Sequence, residues 1–159
     1  MSAPSIQMSS SDWVRLVPLP GHVIVLEMQP KSDFDVARDQ PVFEYMFEAC
    51  VNEARLAGTV VSVCVDARRC NFLSYSTVPS MLSRFVALVN RLHAYPVDGQ
   101  ATDIVSSHLG STSIVIESEM MRTIINMIVG MIPTRRPVEF FNSVDEAVAF
   151  GLQCNEALK

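Results

Sequence analysis

Residues 59–65 read TVVSVCV, an unbroken run of β-branched and small side chains. A strand with one wet face alternates polar and apolar residues. A run without that alternation fits a central strand buried on both faces. Such a strand belongs at the centre of a sheet that amphipathic helices cover. Asp66 closes the run. Further strand signals occur at 22–28 (HVIVLEM), 111–116 (STSIVI) and 137–141 (PVEFF), with a short edge strand at 14–17 and room for another over 103–109.

Between these runs the apolar spacing becomes helical. Over 42–57 it falls on Phe43, Met46, Phe47, Cys50, Ala54 and Ala57, with Gly58 placed to stop the helix. A second helix is predicted over 77–93, with Val78, Met81, Leu82, Phe85, Leu88, Val89 and Leu92 on one stripe and Pro79 tolerated in the first turn. Ser118 reads as the N-cap of a third helix reaching about residue 132, with Pro133 after it. Residues 143–146 form a Ser-x-x-Glu capping box for a last helix, whose stripe is Val144, Ala147, Val148 and Leu152. Residues 29–41, bounded by Pro30 and Pro41, read as a loop, 66–75 as a second loop and 18–21 as a turn. The Ser-rich start, 1–12, reads as a flexible tail, leaving 13–159 as a single domain. Alternating strands and helices imply an α/β fold with a mixed, mostly parallel sheet covered by about four amphipathic helices.

Composition narrows the function classes. The chain has 159 residues, 49% of them hydrophobic, and a net charge of −5. An acidic balance, with Arg68-Arg69 and Arg135-Arg136 as the only basic doublets, is a poor match for the phosphate backbone of nucleic acid. No apolar run is long enough for a membrane span, and no basic-then-apolar start marks a signal peptide. Cys50, Cys64, Cys70 and Cys154 form no C-x-x-C pair, so reduced thiols in a cytoplasmic protein are expected.

Motifs for catalysis are not evident. His22, His93 and His108 are scattered, and neither a nucleophile elbow nor a Gly-rich phosphate loop occurs. Asp33, Asp35 and Asp39 lack the central Gly and closing Glu of a calcium loop and read as a solvated acidic loop. Cys70 follows two arginines that would lower its pKa if they lay close, although an inert thiol is the plainer reading, as it is for Cys154. Neither a cofactor nor a metal is expected. The third helix is more informative. Nine apolar residues between Met120 and Ile132 exceed one stripe. The surplus implies core, a dimer or partner surface, or a wall of an apolar ligand cavity. Met120, Met127 and Met131 share one side and are the expected contact surface.

Three segments carry a family resemblance. Residues 60–66 (VVSVCVD) lead through a loop to Phe72, 111–118 (STSIVIES) lead into an apolar helix, and 135–152 (RRPVEFFNSVDEAVAFGL) combine a strand bearing Phe-Phe with a helix that starts S-x-x-E-A. Together they resemble the SpoIIAA-like branch of the STAS (sulfate transporter and anti-sigma factor antagonist) family over roughly residues 20–152. The resemblance implies a regulatory, non-enzymatic protein-interaction module. In the regulatory branch a serine in a D-S-S-G motif is phosphorylated by a partner kinase. Aligned without gaps from Asp66, residues 74–77 fall on that motif, and only Ser76 agrees. Ser76 is thus the phospho-acceptor that the resemblance implies, with helix capping as its other reading. A small apolar-ligand or lipid carrier of the same fold is the alternative, and it requires a cavity between the second helix, the third helix and the sheet. An enzyme with a scattered site ranks last.

Overall fold

The computed structural model describes residues 13–74, 76–93, 108–131 and 137–157. The tail over 1–12 and most of the expected strand over 103–109 lie outside these residues. The elements run β1 (Val14–Leu19), β2 (Val23–Met28), α1 (Val36–Ala57), β3 (Val61–Asp66), α2 (Val78–His93), β4 (Leu109–Val115), α3 (Glu119–Gly130), β5 (Val138–Phe141) and α4 (Val144–Ala157). One sheet carries the strands in chain order, β1 antiparallel to β2 and the remaining pairs parallel. The class is therefore α/β, with a mixed, mostly parallel sheet.

This order has a geometric consequence. Right-handed crossovers between neighbouring parallel strands taken in sequence put every connecting helix on the same face. Side chains from α1, α2 and α3 accordingly share one core with Ile24, Leu26, Met28, Val63, Val65 and Ile114. The alternate residues Val25, Cys64 and Val115 point to the opposite face and pack with Ala147 of α4. Since no strand follows α4, this helix is free to cover the second face. All of β3 and β4 is buried, whereas the edge strands β1 and β5 are largely half-exposed. Phe47 and Phe85 meet edge to face at 5.1 Å between centroids, fastening α1 to α2.

The first helix departs from expectation. It starts at Val36, six residues before the predicted start, and contains Pro41. The Asp35 side chain caps it by accepting from the Arg38 N–H at 3.0 Å, and Asp39 Oδ2 accepts in return from the Asp35 N–H at 2.8 Å. Proline removes one helical hydrogen bond, from its own nitrogen to the carbonyl four residues back. The reciprocal cap and buried Gln40 and Phe43 hold the turn regardless. Asp39 is also buried, so the expected solvated acidic loop is corrected: one acid caps the helix, and another is tied to Arg38. The far end matches expectation, with Gly58 left-handed at φ 67° and its N–H donating to Ala54 and Arg55 carbonyls.

The buried stripe of the last helix is also different. Ala147, Gly151 and Asn155 are buried, while Leu152 is exposed. Small residues let α4 press on the sheet. A Cβ at Gly151 would lie 3.0 Å from the Ser62 Cβ, and one at Gly110 would lie 2.6 Å from Asn155 Oδ1. Ser111 Oγ donates to Ser62 Oγ at 3.0 Å, and Ser62 Oγ donates to Asn155 Oδ1 at 2.7 Å. Asn155 Nδ2 in turn donates to the Gly21 and His22 carbonyls, both at 2.9 Å. Those two residues make the β1–β2 turn at positive φ, +84° and +62°. One asparagine therefore ties the last helix, the centre of the sheet and a strained hairpin together.

Three outcomes follow from these contacts. Val63→Asp should abolish the cooperative thermal transition, because an unpaired charge in this position costs several kcal/mol. Ser143 Oγ accepts from the Glu146 N–H at 3.2 Å. Ser143→Ala should therefore lower stability by about 1 kcal/mol in urea titration, with Glu146→Ala costing no more. The third outcome concerns acid. Arg38, bonded to both Asp39 oxygens, holds that carboxyl below its ordinary 3.8 against the opposing effect of burial. A carboxyl depressed by folding stabilises fully above its ordinary pKa, and loses that contribution as pH falls through the depressed value. Asp39→Asn should be less stable than wild type at neutral pH, with the gap narrowing at pH below 3.8.

Candidate functional site

In an open parallel sheet, loops at the carboxyl ends of the strands frame the usual ligand crevice. Here Met28, Val65 and Ile114, near the ends of β2, β3 and β4, line an apolar cavity of about 80 Å³. Phe43 of α1, Leu82 of α2 and Ile125 of α3 complete its walls, so it lies between the sheet and the three crossover helices. Trp13 also lines it. Phe34, from the β2–α1 connection, stacks on Phe72 of the β3–α2 connection at 3.9 Å, and both meet Trp13 edge-on at 5.4 and 5.7 Å. Three loops that are distant in sequence thus share one aromatic cluster beside the cavity.

Among the described lining residues Gln40 is the one amide, Trp13 adds an indole N–H, and none of the others carries a hydroxyl or a charge. Gln40 is 3% exposed. Its Nε2 donates to the Met81 carbonyl at 2.8 Å, fastening α1 to α2, and its Oε1 has no hydrogen-bond partner among the described residues. The sequence pattern places Gln40 in a loop, because Pro41 resembles a boundary. An isolated amide beside apolar helical positions was the available signal.

On the opposite face a larger groove, about 510 Å³, runs between the β1–β2 ribbon and the start of α4. Val17, Leu19 and Val25 form its apolar floor, and Glu27, Arg68 and Asp145 lie on its rim. Arg68 is committed to Asp66, with Nε and Nη2 each 2.9 Å from a carboxylate oxygen. Burial of Asp66 would raise its pKa, but the bonds from Arg68 prevail and hold it low. The arginine doublet is thus drawn into local pairs, Arg69 lying 3.5 Å from Gln29 Oε1.

The sequence-derived residues fall in separate places. Ser76 is exposed in the turn before α2, its Oγ 3.0 Å from Ser74 Oγ. The capping of α2 falls to Ser74 and Thr77: Ser74 Oγ accepts from the Thr77 N–H at 3.3 Å, and Thr77 Oγ1 accepts from the Ser74 N–H at 3.0 Å. Met120, Met127 and Met131 are 64%, 66% and 81% exposed. Only Ile125 of α3 is buried, with Met121, Ile128 and Val129 half-buried against the core. Ser118 caps this helix, its Oγ accepting from the Met121 N–H at 3.2 Å.

His22 and His108 sit at the amino ends of β2 and β4, across the sheet from the cavity, and His108 Nδ1 donates to the Thr59 carbonyl at 2.8 Å. Among the described residues, no group of three or more His, Cys, Asp or Glu side chains is placed to hold a metal ion. No helix among them is long and apolar enough to cross a membrane.

Cys70 does not gain from its arginine neighbours. Burial, reinforced by the Asp66 charge, pushes its thiol up to about 12, and burial pushes Cys50 and Cys64 equally high. A thiol, not a thiolate, is then present at neutral pH, and reactivity follows the thiolate. In native protein at pH 7, Cys50, Cys64 and Cys70 should resist an aromatic disulfide reagent that titrates all four cysteines after denaturation. Cys70 is only half-buried, and rapid native labelling of it would contradict its raised pKa.

Comparison with protein-family models, with curated proteins and with solved structures finds no match for this chain.

Proposed function

We propose that this chain is a non-enzymatic, cytoplasmic regulatory or protein-interaction module with a STAS-like, SpoIIAA-like arrangement, and that it makes its contact through the outer side of α3. The observation that carries the reading is the exposure of Met120, Met127 and Met131 on a helix with a single buried residue. Methionine suits such a surface because its unbranched, polarizable side chain adapts to a partner's shape. A two-fold homodimer pairing α3 with its own copy is the simplest way to cover the side chains. Resemblance over the strands and the last helix supports the family assignment. Exposed Ser76 is the proposed site of control, since a phosphate there would sit just ahead of the amino end of α2, where the helix dipole favours negative charge.

A second reading, a carrier of a small apolar ligand, is favoured by the cavity among α1, α2, α3 and the sheet.

Sedimentation velocity separates the first reading from a bare surface. The wild type should sediment as a dimer at high micromolar concentration. Met127→Glu should sediment as a monomer with an unchanged melting temperature, because a glutamate in an apolar interface cannot be solvated. A wild-type monomer that retains no partner on native mass spectrometry would overturn the interaction reading.

A further inference from the structure

Gln40 gives the apolar cavity a chemical preference. Its orientation is dictated by the Met81 carbonyl, which can only accept a hydrogen bond, so Nε2 must face it and Oε1 must face away. Among the described residues that oxygen has no donor, on a side chain only 3% exposed. A buried acceptor left unpaired is costly, and folded proteins rarely retain one without a reason. A buried water would answer it poorly, because a stable internal water needs two to four polar partners. Among the described residues of the cavity wall, the indole N–H of Trp13 is the one other polar side-chain group. The complementary occupant therefore has one donor and an otherwise apolar body.

Size restricts that body. Engineered apolar cavities of about 150 Å³ accept benzene, and this cavity is about 80 Å³. The occupant is thus a single ring or smaller, and even a ring requires the wall to yield. Met28 and Met81 supply adaptable wall side chains, and α3 contributes Ile125 as its one buried contact. Position agrees with a ligand site, since Met28, Val65 and Ile114 place the cavity towards the carboxyl ends of three parallel strands.

We propose that the cavity bounded by α1, α2, α3 and the sheet binds a compact apolar molecule carrying one hydroxyl or N–H donor, which Gln40 Oε1 accepts. The inference rests on the ligand-carrier reading and adds to it the chemical class of the ligand. Gln40 acts as the specificity residue, and the aromatic and aliphatic wall supplies the affinity. A site with a buried acceptor discriminates against an analogue that lacks the donor, because binding the analogue leaves the acceptor unpaired.

Phenol and toluene test this directly, since they differ by a hydroxyl in place of a methyl group. Affinities of both probes for the full chain are measured by NMR titration, for wild type and for Gln40→Met, which keeps the length of the side chain and removes the acceptor. The ratio of phenol to toluene affinity should fall about tenfold in the variant, as expected for a lost buried hydrogen bond and a relieved unpaired acceptor. In wild type, the Gln40 side-chain amide resonances should shift further with phenol than with toluene at equal occupancy. This second measurement needs no variant and decides the matter if Gln40→Met fails to fold. An unchanged ratio, or equal amide shifts, would overturn the role of Gln40 while leaving an apolar ligand cavity in place. Binding of neither probe at millimolar concentration would overturn the carrier reading, and the inference with it.

Discussion

Every residue of β3 and of β4 is buried, and strands buried on both faces have to be covered twice. Much of the architecture answers that requirement. Three crossover helices leave the sheet on one side and return to it, which is what neighbouring parallel strands in chain order demand. They bury the first face with aromatic and aliphatic side chains from all three helices. The second face depends on α4 alone. Because a single helix cannot cover five strands, it lies over the centre of the sheet, and the β1–β2 ribbon keeps an apolar floor open beside it.

The two faces achieve contact by different chemistry. On the crossover side, large side chains such as Phe43, Phe47 and Phe85 fill the space between layers. Under α4 the residues are small or polar, Ser62, Gly110, Ser111, Gly151 and Asn155, and the layers come close enough for side chains to hydrogen-bond across them. Large residues packed among three helices leave a void where their shapes do not close. Small residues under one helix bring polar atoms into contact that need partners, as Asn155 shows by bonding to Ser62, Gly21 and His22. Hence the cavity and the unpaired amide oxygen of Gln40 both belong to the crossover side.

The binding features follow from the same division. Helix α3 has the thinnest anchorage of the three crossover helices, with Ile125 buried and the methionines Met120, Met127 and Met131 turned to solvent. One side of it faces a cavity and the other faces outward. A contact on the outer side and a ligand on the inner side would act on the same element, so the two proposed activities share a helix.

Much of this was legible in the residue order because it depends on neighbours a few positions apart. The uniform run over 59–65 implied double burial, the helical stripes marked α2 and α3, Gly58 marked the end of α1, and Ser118 and Ser143 marked two helix starts. The surplus of apolar residues on α3 was visible as well. The start of α1 was obscured by Pro41, since a reciprocal cap between Asp35 and Asp39 outweighs one missing hydrogen bond. Other features required the tertiary structure. Asn155 meets a turn more than a hundred residues earlier, Gln40 meets Met81 on another helix, and Trp13, Phe34 and Phe72 converge from three separate segments. Periodicity records which side of an element avoids water, a local property of the chain. Which atoms meet across the core, and which acceptor is left without a donor, is decided only when distant elements close on one another.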